Sequence, residues 1–125
     1  MIKILLVCSA GMSTSLMVNK MKDAAAQRGI EAEIWAVGDA EAANNIGNAD
    51  IMMLGPQVRF LESKMKGIAG EKPVTVIDMQ AYAMMNGAKV LDQALKLLGK
   101  FSVYQLKFNS NSKRKNSISE RKEKL

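Results

Sequence analysis

Residues 2–15 have the sequence IKILLVCSAGMSTS, in which a short apolar run passes directly into small and polar residues. The apolar run, Ile2–Val7, predicts a buried strand because it holds a single charged residue and is far too short to span a bilayer. The following stretch, Cys8–Ser15, predicts a loop because small and polar residues favour turns. A cysteine therefore stands directly between a buried strand and the loop that follows it.

Strands and helices continue to alternate as far as Gly99. A first helix follows the loop and ends at Gly29, and three further strands are each followed by a helical segment. The four predicted strands are Ile2–Val7, Ile30–Val37, Ile51–Leu54 and Val74–Ile77. Strands separated by helices of this length pair in parallel through right-handed crossovers. The predicted fold class is α/β, a four-stranded parallel sheet with helices on both faces in three layers.

Two local patterns refine this prediction. Alternation along Ile30–Val37 leaves one face of that strand less buried, which predicts an edge position. Hydroxyl and carboxylate side chains at helix starts predict N-caps, and the candidates are Ser13, Thr14 and Ser15 for the first helix and Asp39 for the second.

The composition excludes several kinds of function. The chain has one cysteine and no histidine, so an internal disulfide, a cysteine-rich metal site and a histidine phosphoryl carrier are excluded. We expect no metal and no cofactor. The net charge of +6 comes from residues 100–125, because residues 1–99 hold ten Lys or Arg and ten Asp or Glu. We therefore expect no nucleic-acid partner. Without a visible signal peptide or long apolar segment, the chain is expected to be cytoplasmic.

Cys8 is the candidate catalytic residue. It precedes a predicted helix N-terminus, where free backbone amides and the positive end of the helix dipole attract anions and favour a thiolate. A phosphoryl group would fit there, held by amides and by the hydroxyls of Ser9, Ser13, Thr14 and Ser15. The arrangement suits a phosphocysteine intermediate in a P-loop-like cradle. The alternative is that Cys8 is a small buried apolar side chain that ends a strand.

Other candidates follow the third and fourth strands, because active sites of parallel sheets lie at the carboxyl ends of the strands. The candidates for lining the site are Gly55, Pro56, Gln57, Asp78 and Tyr82. Each also has a structural alternative. Gly55 and Pro56 suit a turn and a helix start, Asp78 suits a helix cap, and Tyr82 suits partly buried packing.

Three stretches in the same order resemble a known family. They are CSAGMSTSL at residues 8–16, ADIMMLGPQ at residues 49–57 and KPVTVID at residues 72–78. The first resembles the phosphorylation loop of the lactose/cellobiose class of IIB proteins in sugar phosphotransferase systems. The other two resemble the third strand with its following turn, and the fourth strand, of that family. The resemblance covers residues 1–99, which are therefore predicted to form one lactose/cellobiose-like (type-3) EIIB domain.

The resemblance implies a protein-phosphohistidine–sugar phosphotransferase. Cys8 would accept phosphate from a phosphohistidine on a IIA protein and pass it to a sugar bound by a membrane IIC permease, with which the cytoplasmic chain would associate. The sugar would be cellobiose-, lactose- or chitobiose-like. The implied phosphate-binding loop consists of Ser9, Ala10, Gly11, Met12, Ser13, Thr14 and Ser15.

A second family also places a cysteine after the first strand of a related sheet. Low-molecular-weight tyrosine phosphatases and arsenate reductases carry a C-x5-R loop, whose arginine clamps the phosphoryl oxygens. Thr14 stands at that position in this chain. Without the arginine, and without an acid in the loop, a hydrolytic enzyme is disfavoured relative to a phosphoryl carrier.

Residues 100–125 generate a first testable prediction. This segment is basic, and Asn109–Leu125 is rich in Ser, Asn, Lys and Arg, with too little apolar surface to fold, so we expect a disordered tail. Truncation after Gly99 should leave the melting temperature and phosphate acceptance nearly unchanged. A loss of several degrees would mean that Phe101–Phe108 packs on the domain. Slower transfer at unchanged stability, restored by salt, would mean that the tail steers a partner.

Overall fold

The computed structural model describes residues 1–9 and 12–99, without the side chains of Met12 and Ser13. The predicted tail lies outside this range. The strands are β1 (Ile2–Cys8), β2 (Ala32–Gly38), β3 (Ile51–Leu54) and β4 (Val74–Val76). The α-helices are α1 (Met12–Gln27), α2 (Ala42–Asn45), α3 (Glu62–Ala69), α4 (Met79–Ala83) and α5 (Gly87–Leu97). Short 3-10 helices cover Asp39–Glu41, Ile46–Asn48 and Pro56–Leu61. No helix in the described ranges is both long and apolar enough to cross a membrane.

The four strands form one parallel sheet in the order β2-β1-β3-β4. This confirms the predicted α/β class and the edge position of the second strand. β1 lies inside the sheet and pairs with β2 on one side and with β3 on the other.

The side chains of β1 build both halves of the core. Four of them have no solvent-accessible surface: Ile4, Leu5, Leu6 and Val7. Ile4 and Leu6 pack with residues of α1 and α5, whereas Leu5 and Val7 pack with residues of α2 and α3. Helices therefore cover both faces of the sheet, as predicted. Each such side chain contributes about 1.5–3 kcal/mol through burial, which makes β1 the centre of the molecule.

Helices α1 and α5 cross at a very short distance. A Cβ atom on Gly87 would lie 2.6 Å from the amide nitrogen of Met21 and closer still to the carbonyl of Lys20. The Arg28 guanidinium, near the end of α1, pairs with the Asp92 carboxylate on α5. The absence of a side chain at Gly87 therefore allows the short distance between the two helices, and the Arg28–Asp92 ion pair links them at a second point.

A side chain covers the end of the outer edge of β4. Gln93 on α5 donates from Nε2 to the carbonyl of Val76 at 2.8 Å and accepts from the amide of Asp78 at 2.9 Å through Oε1. A neighbouring parallel strand would use these same two backbone groups. The Gln93 carboxamide thus stands in for one residue of a fifth strand, and it covers groups that would otherwise invite pairing with another chain.

The predicted N-caps are wrong. Helix α1 begins at Met12, so Ser13, Thr14 and Ser15 lie inside its first turn rather than before it. Strand β2 runs on to Gly38, and the chain turns at once into a 3-10 helix whose first residue is Asp39 and whose N-cap is Gly38, without a side-chain cap. Both errors have the same cause. Polar residues indicate that a helix begins nearby, but they do not fix which residue is the N-cap.

The contact at Gly87 predicts a cost for adding one methyl group. Gly87→Ala should lower stability by about 1–3 kcal/mol because the new Cβ meets backbone atoms of α1 that cannot rotate away. The matched control is Gly67→Ala in the exposed middle of α3, where a Cβ would meet nothing within 4 Å. That change should raise stability by about 0.5–1 kcal/mol. Urea unfolding of the two variants measures both effects, and equal midpoints would contradict the close crossing of α1 and α5.

Candidate functional site

Cys8 is the last residue of β1 and is 1% exposed. On one side it is in register with Gly38, the last residue of β2. On the other side, the Gly55 amide donates to the carbonyl of Val7 at 2.9 Å, which sets Gly55 beside the end of β1. The thiol-bearing residue therefore sits between two glycines at the carboxyl edge of the sheet.

This position is the topological switch point of the sheet. From β1 the chain crosses outward to β2, and from β3 it crosses outward in the opposite direction to β4. Connections that leave two adjacent strands in opposite directions open a crevice at their carboxyl ends, where ligands of open α/β sheets bind. Cys8 ends β1 and Gly55 directly follows β3, and these are the two strands that border this crevice.

Helix α1 starts four residues after Cys8. It has 16 residues, and its first turn holds no acidic side chain. The first amides of a helix have no partner within the helix and attract anions together with the helix dipole. Of the predicted phosphate loop, Ser9 is exposed, whereas Ala10 and Gly11 and the side chains of Met12 and Ser13 lie outside the described structure.

Thr14 is the one polar residue that is fully buried within the described part of the chain, at 1% exposure. Its Oγ1 atom is buried and has no hydrogen-bond partner there. An unsatisfied buried hydroxyl costs about 1–3 kcal/mol, so it is seldom kept without a use. Ser15, the next residue, is exposed and borders a shallow groove between α1 and β2.

Gly55, Gln57 and Tyr82 are brought together beside the crevice. A Cβ on Gly55 would lie 2.7 Å from Oε1 of Gln57, so the Gln57 carboxamide rests directly on this glycine. The same carboxamide donates from Nε2 to the Tyr82 hydroxyl at 3.4 Å, a long hydrogen bond. Pro56 starts the 3-10 helix that follows Gly55. Tyr82 is half-buried against the core on the α1 side of the sheet.

Asp78 has a different setting. Its carboxylate accepts from the amide of Ala81 at 2.9 Å and caps α4. It borders a polar groove between α4 and α5 rather than the groove that Gln57 and Tyr82 border. The helix cap, one of the two roles weighed for this residue, accounts for its position.

The sequence did not single out three residues that lie next to this region, namely Arg59, Phe60 and Met79. Phe60 is 77% exposed, and Val58, two residues before it, departs from the helical conformation with φ −117° and ψ 24°. The available signal was that Phe60 falls off the apolar stripe formed by Val58, Leu61 and Met65.

Comparisons with known proteins agree with this architecture. A family described as "PTS system, Lactose/Cellobiose specific IIB subunit" matches residues 3–93. The oligo-beta-mannoside-specific EIIB component of Bacillus subtilis (strain 168) is 51% identical over 98 residues, which cover 77% of this chain and 95% of that protein. The galactose-specific EIIB component of Lactococcus lactis subsp. cremoris (strain MG1363) is 46% identical over 103 residues and covers 76% of this chain and 94% of its own length.

Solved structures show the same fold. The cellobiose-specific IIB component of Borrelia burgdorferi superposes with a TM-score of 0.64 at 36% identity and covers 76% of this chain and 89% of its own. The lactose-specific IIB domain of Streptococcus pneumoniae has a TM-score of 0.69 at 19% identity, covering 76% of this chain and 95% of its own. The family match spans most of the chain and the relatives align over nearly their full length, so this chain belongs to the lactose/cellobiose-specific IIB family of the sugar phosphotransferase system.

Proposed function

We propose that Cys8 carries a phosphoryl group between two proteins. Its thiolate sulfur attacks the phosphorus of a phosphohistidine on a IIA protein. The P–N bond breaks, the S–P bond forms, and the imidazole nitrogen keeps the electron pair of the broken bond. In the second step a sugar hydroxyl, held by a IIC permease, attacks the same phosphorus. The S–P bond then breaks, the hydroxyl proton is lost, and the thiolate is restored.

One observation carries this proposal. The single cysteine of a IIB family member ends the central strand at the switch-point crevice, four residues before a 16-residue helix begins. A group attached to sulfur there lies at the edge of the sheet where anions are best accommodated. The alternative, a purely apolar role for Cys8, accounts for its burial but not for its place at the switch-point crevice before a helix N-terminus.

The first turn of α1 supports the binding of the phosphoryl oxygens. That turn holds no acidic side chain that would compete with the phosphoryl group for the helix N-terminus. The Thr14 hydroxyl supplies a buried donor that has no partner in the described structure. We infer that the loop from Ser9 to Ser15 holds the phosphoryl group through its amides and through Thr14.

We propose only a class of sugar and not an individual one. The relatives are named for oligo-β-mannosides, galactose and cellobiose, so similar IIB chains serve different sugars. The sugar would contact the permease rather than this chain. We therefore propose a sugar of the cellobiose or lactose kind, phosphorylated where the chain meets the membrane protein.

Replacement of the thiol tests the carrier role directly. We expect wild-type protein, incubated with phosphoenolpyruvate, the general phosphotransfer proteins and IIA, to gain one phosphoryl group on the peptide that contains Cys8. Cys8→Ser should gain none, because a serine hydroxyl is not ionised near neutral pH, and should keep its circular dichroism spectrum. Mass spectrometry of intact protein and of peptides gives both results.

Two outcomes would overturn the carrier role. One is a phosphoryl group on a serine or threonine of the wild-type protein. The other is rapid turnover of p-nitrophenyl phosphate or arsenate, which would favour the phosphatase-like alternative despite Thr14 in place of its arginine.

The orphaned hydroxyl of Thr14 predicts opposite effects on stability and function. Thr14→Val keeps the shape and removes an unsatisfied polar atom, so the free energy of unfolding should rise by about 1 kcal/mol. Phosphorylation of Cys8 by IIA should slow by about tenfold or more, as for the loss of one donor to a developing anion. Quench-flow kinetics and urea unfolding measure the two quantities on the same preparation.

Thr75→Val is the matched control. The Thr75 hydroxyl accepts from Nε2 of Gln93 at 3.1 Å and lies away from the crevice, on the edge strand β4. The same chemical change should here lower stability by about 1 kcal/mol and leave the rate of phosphorylation unchanged. If Thr14→Val loses stability as Thr75→Val does, the Thr14 hydroxyl has a structural partner and is not reserved for phosphate.

A further inference from the structure

Asn86 and Gly87 connect α4 to α5 and form the one asparagine–glycine pair of the sequence. In such a pair the backbone nitrogen of the glycine can attack the side-chain carbonyl carbon of the asparagine, because glycine has no Cβ to obstruct the approach. The packing of α1 against α5 requires this glycine, since a Cβ there would lie 2.4 Å from the carbonyl carbon of Lys20. The close helix crossing therefore keeps a thermolabile asparagine in its most reactive sequence context.

The pair is accessible to water. Asn86 is half-buried and borders a groove of about 420 Å³ between α1 and the connection from α4 to α5. Three exposed polar side chains, those of Lys20, Asp23 and Gln27, line the α1 side of this groove. Water, which hydrolysis of a cyclic product would consume, can therefore reach the asparagine from solvent.

Two hydrogen bonds restrain the reacting groups in the folded chain. The Asn86 side chain is the N-cap of α5, and its Oδ1 accepts from the amide of Lys89 at 3.1 Å. The amide of Gly87 donates to the carbonyl of Met85 at 3.1 Å, so the nitrogen that would attack has its proton engaged. Both bonds must break before the nitrogen reaches the side chain. The reaction therefore requires the first turn of α5 to open locally.

The residue before the pair favours such opening. Met85 has φ 51°, a left-handed conformation that is unfavourable for any residue with a side chain. Opening of the connection releases this strain. The first turn of α5 is thus held by a cap on one side and strained on the other.

We propose that Asn86 is a site of spontaneous deamidation, controlled by opening of the first turn of α5. The deprotonated Gly87 nitrogen attacks Cγ of Asn86 and closes a succinimide ring. The Cγ–Nδ2 bond breaks, and ammonia leaves with its electron pair and with the proton that Gly87 lost. Water then opens the ring. Cleavage between Cγ and the Gly87 nitrogen gives aspartate, whereas cleavage between the backbone carbonyl carbon of Asn86 and that nitrogen gives isoaspartate.

The two products differ in their effect on the contact between α1 and α5. Aspartate keeps the length of the backbone, is as good an N-cap as asparagine, and adds a negative charge that suits a helix N-terminus. Isoaspartate adds one methylene group to the backbone directly before Gly87. At Gly87 the backbone of α1 leaves no free space, so the longer connection displaces the start of α5. Deamidated chains therefore divide into a stable form and a destabilised one.

Incubation of the purified full chain at neutral pH, with peptide mapping over time, tests the site. The peptide that contains Asn86 should gain the mass of deamidation, and enzymatic methylation of isoaspartate should label the same peptide. Asn48, which precedes alanine, is the internal control and should stay unmodified. Asn86→Gln should abolish the change at this position. Mapping separates Asn86 from the three asparagines of residues 100–125 that precede serine.

Two comparisons test the control by local opening. A synthetic peptide of residues 82–91 should react about tenfold faster than the folded chain, because it lacks the cap. Arg28→Gln removes the ion pair with Asp92 that links α1 to α5, and it should speed deamidation severalfold and raise hydrogen exchange at the Lys89 amide. The matched control Glu62→Gln breaks the Glu62–Lys66 pair within α3 and should change neither rate.

The stability of the products completes the test. Asn86→Asp should melt at the same temperature as the unmodified chain or higher, whereas the isoaspartate form, separated by chromatography, should melt several degrees lower. The inference is overturned if Asn86 reacts no faster than Asn48, if the peptide and the folded chain react at equal rates, or if Arg28→Gln leaves the rate unchanged. None of these results depends on whether Cys8 carries a phosphoryl group.

Discussion

The burial of β1 on both of its faces is the constraint on which the rest of the structure depends. Its central side chains have no accessible surface, and its backbone pairs with a strand on each side. Cys8 ends this strand, so its position is set by the best-packed part of the domain. A side chain on such a rigid element keeps its position when another molecule binds or dissociates.

The surroundings of Cys8 differ from the rest of the interior in how polar groups are satisfied. Elsewhere, side chains such as Gln93 and Asp78 find partners for both backbone and side-chain atoms. Thr14 keeps a buried hydroxyl without one, and the helix turn that holds it has no acidic residue. Both features leave binding capacity for an anion that is not part of the folded chain. This agrees with the proposed carrier, whose folded state is incomplete until the phosphoryl group arrives.

Most of the fold could be predicted because its signals are local. The strand Ile51–Leu54 was predicted to the residue, and the other three within one or two residues at each end, since short apolar runs bounded by glycine, proline or polar residues have few other interpretations. The start of α1 was missed because Ser13, Thr14 and Ser15 suit a loop as well as a first helical turn. Once the helix is known to begin at Met12, Thr14 falls three residues before Met17 on the buried stripe, which accounts for its burial.

The groove beside the crevice could not be predicted, because it depends on two elements that are distant in sequence. Phe60 lies on the 3-10 helix that follows β3, and Met79 reaches the same groove because α4 packs next to that helix. The exposure of Phe60 has one local signal, its place off the apolar stripe, whereas the approach of α4 has none. The position of Cys8 between β1 and α1 was predicted more easily, since strand, cysteine and helix are consecutive in the chain.

The hydrogen bonds of Gln93 at the edge of β4 affect how long another polypeptide could stay bound there. A polypeptide that joined the sheet at this edge would form a ladder of main-chain hydrogen bonds, and every rung would have to break before it departed. The Gln93 carboxamide already occupies the backbone groups of Val76 and Asp78, so an added strand could not extend its ladder to them unless the glutamine first withdrew. A partner that binds at this end of the edge would rely on side-chain contacts, which break one at a time and allow faster dissociation.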